Sequence, residues 1–111
     1  MTPTLILVTY RLRVPVAEFR AHARTAAARI AEAPGLLWKV WGLDEATGLG
    51  TSAYLFRDSA SAEAFAEGPA TSELRAGPAM DVFTRIAPVD AGLSAITGAA
   101  RFLAPTDMAT G

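Results

Sequence analysis

Apolar and polar positions alternate between short apolar runs and longer amphipathic stretches. Residues 4–12 (TLILVTYRL) are apolar and β-branched, the pattern of a buried strand. Val14-Pro15 interrupts it, and Pro15 falls near the first turn of the next element, where its missing N–H costs little. Over 16–33 the apolar positions Val16, Phe19, Ala23, Ala26, Ala27 and Ile30 recur at helical spacing, while Glu18, Arg20, Arg24, Arg29 and Glu32 take other angles. That spacing predicts an amphipathic helix, stopped by Pro34-Gly35. LLWKVWGL (36–43) predicts a second strand and TSAYLFR (51–57) a third, with turn residues and two glycines over 44–50 closing a hairpin.

Asp58 or Ser59 is placed to cap a second helix, SASAEAFAEG, that Gly68-Pro69 ends. A short helical piece over 71–76 precedes Gly77-Pro78, and MDVFTRIAPV (80–89) predicts the fourth strand. Residues 90–103 are weakly helical, interrupted by Gly92 and Gly98. Residues 1–103 therefore read as one domain and 104–111 as a flexible tail.

The order β-α-β-β-α-β predicts an α+β, ferredoxin-like antiparallel sheet with helices on one face. Leu5 and Leu7 alternate with Ile6 and Val8, so the first strand is apolar on both sides. A sheet apolar on both faces, with helices for only one, predicts a homodimer that covers the other.

Composition narrows the function classes. At 111 residues, 51% hydrophobic and 19% charged, the chain is globular, and its net charge of −1 argues against nucleic acid or an anionic membrane surface as partner. With no cysteine and one histidine, thiolate sites and zinc or iron ligand sets are not expected, and no cofactor is implied. The N-terminal apolar run of roughly seven residues is too short for a span and lacks the charge order of a signal peptide, so a soluble cytoplasmic protein is expected. There is no Gly-rich phosphate loop and no G-x-S-x-G elbow.

What remains is aromatic walls with a few weak acids and bases. Strand alternation sides Trp38 with Val40, and Lys39 with Leu37, Trp41 and Leu43. One tryptophan thus points to the helices and the other to a partner sheet, and alternation alone does not say which. The rings either fill a core or, with Phe19 and Phe56, line a small-molecule pocket. Lys39, between apolar neighbours, must reach water, find a carboxylate or lose its proton. It reads as an ammonium at the rim of the dimer interface, or else as a catalytic amine or anion-binding group. His22 falls at the edge of the apolar stripe, either idle in solvent or a base reaching a cavity between helix and sheet. Tyr10 and Tyr54 can donate to a phenolate or carbonyl oxygen, and Arg85 can anchor an acidic group or pair with Asp81.

Pro34, Gly35, Trp38, Lys39, Val40 and Trp41, then Tyr54, Leu55, Phe56 and Asp58 leading into a helix, resemble the YdhR family of monooxygenase-like proteins over about residues 34–66. The resemblance implies a dimeric α/β barrel, two ferredoxin-like subunits with sheets face to face. It also implies kinship with cofactor-independent monooxygenases of antibiotic biosynthesis, which oxidise polycyclic phenols with molecular oxygen in an apolar cavity. On that footing Trp38 or Trp41 would stack a polyketide-like substrate, Tyr10 or Tyr54 would hold its oxygen, and His22 would take its proton. A cyclase, isomerase or dehydratase in the same pocket, and a non-catalytic binding protein, are the alternative readings.

Overall fold

The structure is a computed structural model that describes residues 2–103; the expected tail over 104–111 lies outside them. The elements are β1 (Thr4–Leu12), α1 (Val16–Ile30), β2 (Leu36–Asp44), β3 (Leu49–Phe56), α2 (Ser59–Ala66), α3 (Pro69–Ala76), β4 (Ala79–Pro88) and α4 (Ala91–Ile96), followed by a 3₁₀ turn, Ala100–Phe102. β1, β2, β3 and β4 form one four-stranded sheet in the order β2-β3-β1-β4. Every pairing is antiparallel, the ferredoxin-like arrangement expected from the element order.

Local chemistry sets the boundaries. Beyond Ile30 the backbone tightens, with Glu32 N–H donating to Arg29 C=O and Ala33 N–H to Ile30 C=O, so α1 closes short of residue 33. Gly35 then takes φ 81°, a left-handed turn into β2. Asp58 caps α2 by accepting from Ser61 N–H at 2.8 Å. Pro69 does more than end α2: it opens α3 at the first helical position, where no N–H is needed.

Ile6, Val8, Tyr10, Tyr54 and Phe56 alternate onto one face of β1 and β3 and meet Phe19 and Ile30 of α1 and Ala62 of α2. Tyr10 pairs with Gly50, and its ring lies directly over that glycine: a Cβ there would stand 2.2 Å from Tyr10 Cζ. The ring's other neighbour is Phe19, at 5.7 Å between centroids.

Two irregularities shape the edges. A register shift between Leu36 and Trp38 leaves Leu36 with the core and Trp38 opposite Leu55, so these two residues fall on opposite faces although uninterrupted alternation would put them on one. Between β1 and β4 the register shifts at Thr9/Arg11, where Asp81 takes φ 52°. Asp81 reaches Arg11 at 3.8 Å, and this replaces the pairing with Arg85 suggested by sequence.

The face away from α1, α2 and α3 carries Leu5, Leu7, Val40 and Phe83, all exposed, the last by 67%. At its β2 end the Trp38 indole N–H donates to Phe102 C=O at 2.6 Å, bringing the C-terminal turn against the sheet. Among the described residues no helix is long and apolar enough to cross a membrane.

Candidate functional site

α2 and α3 pack closely on the sheet, whereas α1 stands further off. The reason is legible in its side chains. Between the anchors Phe19 and Ile30, the inward positions of α1 are Ala23 and Ala26, and α2 and α3 present Ala60, Ala64 and Ala70 from the other side. Methyl groups cannot span the gap that leucines would close, so a hollow of about 590 Å³ remains between helices and sheet. That volume suits a drug-sized or tricyclic ligand.

The floor comes from the sheet: Val8, Tyr54, Lys39 and Trp41. Phe19 and Phe65 add aromatic walls, and the Phe65 ring meets that of Tyr54 at a tilt, 5.0 Å between centroids. Phe65 was not singled out from the sequence, although a lone aromatic among the alanines of α2 is a visible signal. In the sequence Ala23 and Ala26 count only as apolar positions of a helical stripe. At inward-facing positions they also mark missing volume.

The register explains how Lys39 enters. Lys39 lies opposite Tyr54, and Trp41, two residues on, shares its face opposite Ser52. The Lys39 Nζ sits 3.2 Å from the centre of the Trp41 ring and 4.5 Å from that of Tyr54. The amine is therefore inside the hollow under the helices. Burial pulls it down from the ordinary lysine value to about 7. Both rings offer their negative faces to the charged form, but neither replaces water or a carboxylate.

Tyr54 is buried on the same floor, and burial, with Tyr10 nearby, pushes its phenol upward. Near neutrality it is a hydrogen-bond donor. Tyr10 is also raised by burial, partly offset by the Ser52 hydroxyl. It lies behind Phe19 and does not line the hollow. His22 is exposed on α1 and joins the mouth, close to where Arg29 of α1 pairs with Glu73 of α3 at 2.8 Å.

Of the expected residues, Phe19, His22, Lys39, Trp41 and Tyr54 thus come together. Trp38, Phe56 and Arg85 do not. Trp38 turns to the opposite face because the register shift precedes it; Phe56 is fully buried against Tyr54 and Phe65; Arg85 pairs with Leu7 on the uncovered face. Among the described residues no group of three or more His, Cys, Asp or Glu comes together as a metal site.

The same arrangement of strands and helices occurs in solved proteins of low sequence identity. SnoaB from Streptomyces nogalater, a cofactor-independent oxygenase, matches with a TM-score of 0.67 at 14% identity, over 80% of this chain and 94% of that one. NE2512 from Nitrosomonas europaea, a protein of unknown function, matches with a TM-score of 0.67 at 14% identity, over 82% and 92%. PA3566 from Pseudomonas aeruginosa matches with a TM-score of 0.62 at 16% identity, over 80% and 95%. At these identities the likeness is one of fold. No curated protein matches the sequence. The sequence does match the family described as "Putative mono-oxygenase ydhR" over residues 5–100, nearly the whole ferredoxin-like unit and every strand of the hollow's floor, and the chain belongs to that family.

Proposed function

We propose that the protein is a cofactor-independent monooxygenase of an aromatic, polyketide-like small molecule bound between α1 and the sheet. The observation that carries this reading is the hollow: about 590 Å³, apolar, aromatic on several sides, with a tyrosine and a lysine on its floor. Family membership and the fold shared with an oxygenase support the reaction class.

The chemistry asks little of the protein. A CH₂ flanked by aryl rings, or a phenol conjugated to such a carbon, loses a proton to a base, and the resulting electron-rich carbanion reacts with molecular oxygen. The hydroperoxide that forms loses water to leave a carbonyl, so one oxygen atom stays on the substrate and the other departs as water. Trp41, Phe19 and Phe65 stack the rings, and the Tyr54 phenol donates to the developing oxyanion. Apolar walls keep the anion from being reprotonated by water.

Two copies joined through Leu5, Leu7, Val40 and Phe83 complete the proposal, because an isologous pairing removes the exposed apolar face. The test is oxygen consumption with a hydroxyanthrone as probe. Turnover above the uncatalysed rate is expected in air and none under argon. A product formed equally under argon would replace this reading with a cyclase or isomerase, and uptake without any product would leave a binding protein.

A further inference from the structure

Lys39 is unlike the other basic side chains of this protein. The ion pairs among the described residues are Arg11–Asp81, Arg20–Glu45 and Arg29–Glu73, and Lys39 is in none of them. The titratable and charged groups around it are few. α1 supplies His22 and Arg29 at the mouth, α3 supplies Glu73, and β3 supplies Tyr54, while α2 contributes only Ala60, Ser61, Ala64 and Phe65. Glu73 is engaged by Arg29 and held below its ordinary carboxylate value by it. An amine has thus been placed between two ring faces, in an apolar hollow, with no resident anion.

We propose that Lys39 is the base of the hollow: its neutral amine takes the acidic proton of a bound phenol or anthrone, and the resulting ammonium, over Trp41 and Tyr54, is the counter-ion of the aromatic anion. The transfer balances without a further reactant, one O–H or C–H bond breaking as one N–H bond forms. His22 is less suited, because at the exposed mouth water competes with it for both ligand and proton. Burial favours the free amine before a ligand arrives, with a value of about 7, and an anion beside it then favours the ammonium. This inference takes from the proposed function only the choice of an acidic aromatic ligand.

The test compares wild type with Lys39→Met and Lys39→Arg, since an arginine keeps the charge but does not give up its proton. The probe is fluorescent 2-naphthol, protonated when free, at a pH one unit above the Lys39 value. Wild type is expected to bind it as the naphtholate with no net proton release, because the proton moves to Lys39. Lys39→Arg binds the naphtholate and releases one proton per ligand, and Lys39→Met binds the neutral naphthol. Release of a proton by wild type, as by Lys39→Arg, would reduce Lys39 to a fixed charge and overturn the proposal, as would neutral naphthol bound to wild type. In turnover of the hydroxyanthrone, kcat/KM of wild type rises through about pH 7, and both variants lose on the order of 100-fold or more. Full activity in Lys39→Met overturns the base and leaves the oxygenase standing. Proton transfer to Lys39 without oxygen consumption does the reverse.

Discussion

The two faces of the sheet are both apolar and have been finished in opposite ways. Toward the helices, large side chains at the ends of α1 hold it off while alanines between them leave a gap, so the surface is hydrophobic and hollow. Away from the helices, Leu5, Leu7, Val40 and Phe83 stand out on the strands, so the surface is hydrophobic and filled with protruding side chains. Apolar area alone does not say what a face is for. Volume missing behind a face suits a small ligand; volume projecting from it suits another protein surface.

The sharpest way to break the contrast is to fill the hollow. Ala26→Phe places a ring in the gap beneath α1 and is expected to weaken 2-naphthol binding by roughly 100-fold, about 2.7 kcal/mol, without lowering the melting temperature. Val40→Phe, the control on the other face, leaves ligand binding as it was. A folded Ala26→Phe protein with wild-type affinity would place the ligand elsewhere.

Next in size is the opposite manipulation. Leu7→Arg with Phe83→Arg sets like charges against each other wherever two copies meet through this face. Sedimentation is expected to show protomers in place of dimers, with 2-naphthol still bound. A wild-type chain that sediments as a protomer at all concentrations would remove the need for a partner.

The smallest effect concerns stability. Lys39 is pulled to about 7 in the folded protein from an ordinary 10.5, so between those values the unfolded chain binds more protons and stability rises with pH. The cost of the buried charge is fully present below pH 7 and fades as pH approaches 10.5. At one pKa unit per about 1.4 kcal/mol, and with part of the penalty relieved by solvent at the hollow's mouth, Lys39→Met is expected to be more stable than wild type by roughly 2 kcal/mol below neutrality. Urea unfolding across pH 6–10 checks this, and parallel curves for the two proteins would mean that Lys39 is solvated.

The sheet and its partners were legible because period-two and period-3.6 patterns survive in a single sequence. Tyr10 with Val8 and Ile6, and Tyr54 with Phe56, fall on one face as alternation requires. Alternation fixes relative and not absolute orientation, so it could place Lys39 beside Trp41 but not under the helices. It also fails across a register shift, which is why Leu36 and Trp38, two residues apart, face opposite ways. A cavity between helix and sheet is expected from the sequence, but not which residues leave it open: Ala23, Ala26 and Ala64 look the same in a sequence whether they pack tightly or leave space. Only the stand-off of α1, which depends on Phe19 and Ile30 together, separates the two cases.

Gly50 carries a consequence that reaches beyond its own strand. Because it lacks a methyl, the Tyr10 ring can lie close against the backbone, and Phe19 can settle in front of it as a wall of the hollow. The room left for a guest molecule is thereby gauged by a residue no ligand touches: a single carbon added on β3 would displace the ring, press Phe19 inward and trim the chamber on that side.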